Sequence, residues 1–399
     1  MIHPNVKEPA TVAGSFHVSG ANLLVRGLLA AVLTAVAPVV PAVSTGHADA
    51  VVRPTDAAYA GQWGIVRTRV NEAWSAVKGD SRVTIAIVDT GVSRLPDFGN
   101  RLLPGYDFVN NDSDASDDNG HGTMAAGVAA AAGNNRVGVA GVCWTCQILP
   151  VKVLDAKGAG GYDNFAKGIR YAADRGATII SASFGGNDDA AMLRDAVNYA
   201  TGKGSLVIAA AGNKGTTLPH YPAAIPAALA VGGVDATGAR YSWSNYGSSW
   251  VDLTAPGCNP AQQRDGAIGQ YCGTSSATPF VAGVAGLLAS IPSAPPASLI
   301  RAALTRGANK GQVDAAGALT ALGIDLTAPA VTINRNGRYV TARATDASGV
   351  ARLELLINGI VTSSFAGYLR QFAVPAGART VAVRATDKAG NARVVAAPR

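Results

Sequence analysis

Sulfur, histidine and charge are scarce in this chain. Its 399 residues hold four cysteines, three methionines and five histidines, and only 15% of them are charged. His3, His17 and His47 fall in the first fifty residues, so beyond these any histidine chemistry rests on His121 or His220. A His-Glu-x-x-His run is missing, and no other His/Cys group has ligand spacing, which excludes a zinc hydrolase of that design. With 48% hydrophobic side chains the chain is neither disordered nor fibrous, and its length suffices for a large core and two domains.

Long apolar runs are lacking too. The one candidate, residues 27–43, falls short of the ~20 residues a membrane span requires and is interrupted by Pro38 and Pro41. Arg26 precedes it and Ala48-Asp49-Ala50 follows, so residues 1–50 read as an export signal cleaved near Val51, and a secreted protein is expected. In an exported chain the even set Cys143, Cys146, Cys258 and Cys272 favours two disulfides closing local loops. Cys143-Trp144-Thr145-Cys146 also has the spacing of a redox dithiol. That chemistry needs a strand-to-helix setting with an exposed first cysteine, whereas here a strand is expected at 147–154.

The net charge of +7 is unevenly spread. From Thr327 to the end there are ten Lys/Arg against three Asp/Glu, while the remainder is balanced. Such a basic tail suggests attraction to an anionic envelope polymer or surface, with a solvated, stabilising module as the other reading. Nucleic acid is not an expected partner, and a monomer is expected.

Between residues 83 and 254, short apolar runs alternate with helix-like stretches. That pattern predicts an α/β fold, a parallel sheet with helices on both faces. Strands are expected at 83–88, 147–154, 177–181, 205–210, 227–231 and 250–253, and helices at 121–132, 162–175, 188–202 and 276–290. The last helix is apolar nearly all round and should run through the interior. Beyond residue 324, period-two alternation such as Val340, Ala342, Ala344 and again Val381, Val383, Ala385 predicts a small all-β sandwich. The expected division is therefore 1–50 signal, 51–323 α/β domain, and 324–399 linker and sandwich.

Three positions attract attention as chemistry. Asp89 ends an apolar strand, where open α/β sheets place their sites, although a turn aspartate fits equally. His121 stands between Gly120 and Gly122 at the start of an alanine-rich helix, while His220 reads as an ordinary loop histidine. Ser275 lies in Gly273-Thr274-Ser275-Ser276-Ala277 at the head of the interior helix, where a capping serine is the plainer reading. The lipase elbow Gly-x-Ser-x-Gly is not met, because Ala277 fills its fifth position. A serine becomes nucleophilic only with a base, and the base needs an orienting carboxylate, so the three gain meaning as a set.

In that order, Val88-Asp89-Thr90-Gly91-Val92, His121-Gly122-Thr123 and Gly273-Thr274-Ser275 resemble the three signatures of subtilisin-like serine proteases, over about residues 62–318. The resemblance implies a subtilisin-like fold and an endopeptidase of protein or peptide substrates needing no catalytic cofactor. It implies Asp89, His121 and Ser275 as the triad and Asn213, in Ala211-Gly212-Asn213, as an oxyanion donor. It implies substrate-binding edges at Ser183, Phe184 and Gly185 and at Gly158 and Gly160. The loop at 134–139 resembles the family's structural calcium loop, with Asp97 and Asn135 as ligands. Ser276 stands where many relatives carry methionine. Only residues 51–61 separate the expected cleavage point from the first family-like residues, so folding unaided or with help in trans is expected. The tail resembles bacterial immunoglobulin-like domains. A catalytically silent surface-binding protein on the same fold is the alternative.

Overall fold

The structure, a computed structural model, describes residues 51–398; the expected export signal lies outside the described residues. The elements that place the site are the strands β1 (Thr84–Asp89), β2 (Tyr106–Asp107), β3 (Gln147–Lys152), β4 (Ile179–Ala182), β5 (Leu206–Ala210), β6 (Leu229–Val234) and β7 (Leu253–Pro256). They form one parallel sheet in the order β2-β3-β1-β4-β5-β6-β7. The chain lays β3 on one side of β1 and β4 on the other. Strand order therefore reverses at β1, and its carboxyl end opens on the crevice that such a switch point creates.

Alternating side chains along β1 serve two cores. Ile85 and Ile87 face one, with Ile148, Ile179 and Ile208, and Ala86 and Val88 face the other, with Leu149, Val151 and Val207. Two short helices, α1 (Trp63–Arg67) and α2 (Val70–Ala73), precede the sheet, and α3 (His121–Ala130) packs on the first face. The helices α4 (Tyr162–Asp174) and α5 (Ala191–Gly202) cover the second face. The central helix α6 (Thr274–Ala289) is buried along its whole length, as its unbroken apolar character requires. Behind it come α7 (Ala297–Gly307) and α8 (Ala315–Ala321). Among the described residues no helix is long and apolar enough to cross a membrane.

Besides β2 and the helices α1, α2, α7 and α8, which the sequence reading did not include, two further features depart from it. The strand expected at 250–253 forms instead at Leu253–Pro256, because a turn closed by the Val251 amide on the Gly247 carbonyl (2.9 Å) occupies the preceding residues. A hairpin, β8 (Cys258–Gln262) with β9 (Ile268–Cys272), pairs antiparallel with Cys258 opposite Cys272. Pro260, Gly269 and Gln270 break the apolar alternation that would have announced it. Disulfides join Cys258 to Cys272 and Cys143 to Cys146. Both cysteines of the second pair are fully buried and β3 follows directly, unlike a reactive dithiol.

The C-terminal segment consists of two antiparallel sheets, β10 (Ala330–Asn336), β11 (Tyr339–Thr345) and β14 (Leu369–Ala373) in one, and β13 (Ile360–Ala366), β12 (Val350–Ile357), β15 (Val381–Asp387) and β16 (Ala392–Ala396) in the other. Val340, Ala342, Ala344, Val383 and Ala385 form its core, as the period of two predicts. The fold is thus α/β followed by an all-β module.

Candidate active site

Asp89 is the last residue of β1 and is fully buried. Its Oδ1 accepts from the Thr90 amide at 2.7 Å and from His121 Nδ1, also at 2.7 Å. A carboxylate oxygen can only accept from this ring, so Nδ1 carries the hydrogen and Nε2 of the neutral imidazole is left as acceptor. Burial pulls the His121 pKa down, but the charge of Asp89, its hydrogen bond and the charge of Asp117 outweigh burial, and the imidazole sits above its ordinary value near 6.5.

His121 is held there by the way α3 begins. Its amide donates to Asn119 Oδ1 (3.1 Å), that of Gly122 to Thr90 Oγ1 (2.9 Å) and that of Thr123 to Asp117 Oδ2 (2.9 Å), so the free amides of the first turn all find partners. A Cβ on Gly122 would collide with the Gly91 carbonyl oxygen, so only glycine lets the helix start lie this close to the end of β1. Asp117 gathers Thr90 Oγ1, the Asn119 and Gly120 amides and both donors of Thr123. Lys152, buried on β3, ties the same region down by donating to the carbonyls of Thr90 (3.0 Å) and Leu154 (2.8 Å) and to Asp118 (2.7 Å). Neither Asp117 nor Lys152 had a signal in the sequence, since lone charges in loops or strands usually face solvent.

Ser275 lies within the first turn of α6, not at its cap: the cap position is Gly273, with φ of 120°. The capping reading of Ser275 is thereby corrected. Its Oγ donates to the Ser183 carbonyl at 3.3 Å, and the Ser183 hydroxyl donates to the Ser275 carbonyl at 3.0 Å. His121 Nε2 is met by the Tyr271 hydroxyl, 3.2 Å away.

Asn213 follows β5 and turns its Oδ1 to the Thr274 amide (2.8 Å) and hydroxyl (3.0 Å). That contact fixes the side chain so that Nδ2, with no acceptor among the described residues, faces outward. A Cβ built on Gly273 would lie 3.2 Å from Asn213 Nδ2 and 3.6 Å from the Ser275 amide nitrogen. Both nitrogens therefore flank the position that a side chain at 273 would crowd.

Ser183, Phe184, Gly185, Gly158 and Gly160 line a single cleft of about 480 Å³ together with His121. The expected substrate edges thus meet the expected base. A larger cavity of about 690 Å³, by Asp325 and Lys388, holds none of these groups. His220 packs behind Gly185 and Gly212, and its buried Nδ1 has no partner among the described residues. Burial, and then the nearby charge of Lys214, keep its pKa below the ordinary range.

Away from the cleft, the loop after α3 folds over Asp97. Asn135 Nδ2 donates to Asp97 Oδ1 at 2.7 Å, and the Val139 amide is a distant 3.4 Å from Oδ2. Asp56, which the sequence reading missed, comes to the same loop by accepting from the Asn134 amide at 2.6 Å. Its Oδ1 is buried without a donor. Desolvation raises the pKa of Asp97 to about 6 and that of Asp56 in the same direction.

Residues 80–324 match the profile of the Subtilase family, Peptidase S8. The chain is similar to Thermitase of Thermoactinomyces vulgaris, 48% identical over 251 residues that make up 62% of this chain and 88% of that one. It is similar to an alkaline protease of Shouchella clausii, 40% identical over 249 residues, 62% of this chain and 64% of the relative. Among solved structures, a cold adapted subtilisin-like serine proteinase superposes with a TM-score of 0.54 at 34% identity, over 59% of this chain and 85% of the other.

Proposed function

The chain belongs to the subtilase family and is a serine endopeptidase, and on that premise we propose that Ser275 is its nucleophile, His121 its general base and acid, Asp89 the carboxylate that orients His121, and Asn213 with the Ser275 amide the oxyanion donors. The observation that carries this reading is the 2.7 Å bond between Asp89 Oδ1 and His121 Nδ1 at the carboxyl end of β1, which leaves Nε2 to accept a proton.

In the reaction, Nε2 takes the Ser275 hydroxyl proton as Oγ attacks the peptide carbonyl. Negative charge moves to the carbonyl oxygen, where Asn213 Nδ2 and the Ser275 N–H donate to it. Collapse of the intermediate breaks the C–N bond, and the imidazolium gives its proton to the leaving amine. Water then repeats the sequence on the acyl-enzyme and frees Ser275. An extended substrate pairs with the backbone at Ser183 to Gly185 and at Gly158 to Gly160, a mode that accepts many sequences. A silent surface-binding protein would have no use for two unpaired donors beside a serine. Loss of casein hydrolysis in Ser275→Ala tests the assignment.

A structural calcium ion fits the loop after α3. Asp56 Oδ1 has no partner, Asp97 carries a raised pKa, and a Cβ on Gly138 would run into Asp97 Oδ2. Asp56, Asp97 and Asn135 would hold a hard cation there, relieving the cost of two carboxylates buried side by side. Its role is to hold the loop, not to enter the reaction.

The protein works outside the cell in this reading, which rests on residues 1–50 and the two disulfides. The basic C-terminal module gives it an attraction to anionic envelope polymers, which weakens as salt rises.

A further inference from the structure

Building on the assignment of His121 as base, we propose that Tyr271 is a positioning residue for this base: its hydroxyl holds His121 Nε2 in the resting enzyme, and Ser275 becomes reactive only when that contact gives way. Tyr271 sits on β9 and is 3% exposed, with its ring edge-on to the imidazole at 5.1 Å and 84°. Its hydroxyl is 3.2 Å from Nε2. Burial first, then the charge of Asp89, pushes the phenol well above its ordinary range, so it remains a hydrogen-bond donor at any working pH. Neutral imidazole with its hydrogen on Nδ1 offers one in-plane lone pair, at Nε2. Tyr271 and Ser275 compete for it, and here Ser275 Oγ donates to the Ser183 carbonyl instead.

The backbone under Tyr271 does not move easily. The next residue, Cys272, is bonded to Cys258 across the hairpin, and the Gly273 amide donates to the Gly257 carbonyl at 2.8 Å. Release of the contact therefore falls to the side chains of Tyr271 and His121 and not to the hairpin backbone. The groups facing His121 are Asp89 from β1, Asp117 from the loop before α3, Tyr271 from β9 and, across the cleft, Lys157. Of these Tyr271 alone contacts Nε2, so its hydroxyl bond stabilises the neutral ring without affecting the Asp89 side.

The test is the pH profile of fluorophosphonate labelling in the full purified chain, comparing parent, Tyr271→Phe, Tyr271→Leu and Ser275→Ala. Loss of one competing hydrogen bond is expected to raise the plateau rate constant about 3- to 10-fold in both Tyr271 variants. The acid limb should move to higher pH, because the neutral imidazole has lost a donor. A plateau that is unchanged or lower in both variants overturns the proposal. Activity persisting in Ser275→Ala would instead refute the nucleophile assignment, whereas an inert Ser275→Ala beside Tyr271 variants that match the parent rejects the role of Tyr271 alone.

Discussion

Asp89 and His121 come from segments 32 residues apart, yet their side chains meet at 2.7 Å, the carboxylate fully buried and the imidazole partly exposed to the cleft. The meeting depends on backbone at both ends: β1 delivers the carboxylate to the sheet's switch point, and Gly122 lets α3 start against Gly91.

The acid limb of kcat/KM follows from this pair. Burial lowers the His121 pKa but Asp89 and Asp117 together raise it further, so the ring is protonated, and useless as a base, below a pH higher than 6.5. Activity should fall as pH drops through that raised value. Asp89→Asn should lower kcat by on the order of 10³- to 10⁴-fold through the wrong tautomer, and shift the limb down. Steady-state rates from pH 5 to 9 check both, and a parent limb at or below 6.5 contradicts the account.

Asn213→Ala removes one of the two proposed oxyanion donors beside Gly273. Turnover should fall by about 10²- to 10³-fold with KM little changed, since the bond matters only once the oxyanion forms. A rise in KM with kcat unchanged would point to ground-state binding instead.

How much of this was legible in advance differs from residue to residue. The sheet and its flanking helices follow from apolar runs that need no partner to be read, and Asp89, His121 and Ser275 stand in short motifs whose glycines are tied to their geometry. Tyr271 and the β8–β9 hairpin were hidden, because β9 alternates Gly269, Gln270 and Tyr271 without an apolar face and is held by Cys258–Cys272 and by pairing. Asp56 was hidden for another reason: its partner Asn134 is 78 residues away, and no local pattern encodes such a contact.

Calcium binding should depend on pH in a defined direction. A carboxyl whose folded pKa is raised from 3.8 to about 6 contributes stability when protonated, and that stability is lost as pH rises through about 6. A calcium ion at the proposed site would relieve this loss, so melting temperature should rise by several degrees on adding calcium at pH 7.5 and much less at pH 5. Identical melting with calcium and with chelator at pH 7.5 rules this out.

Peroxide should leave activity largely intact. Ser276, next to Ser275, is fully buried and accepts from Asn259 Nδ2 at 2.9 Å, so no thioether stands there to oxidise. Rapid inactivation by mild peroxide while Met124 and Met192 stay reduced, read by mass spectrometry, would show another target.

The measurement that bears most directly on the central claim is casein hydrolysis and fluorophosphonate labelling of the purified protein beside Ser275→Ala. The parent should cleave casein and take up one label, on the peptide containing Ser275, and the variant should do neither above a residual about 10³- to 10⁴-fold over water. Labelling of another serine, or casein cleavage by Ser275→Ala at the parent rate, contradicts the assignment of Ser275.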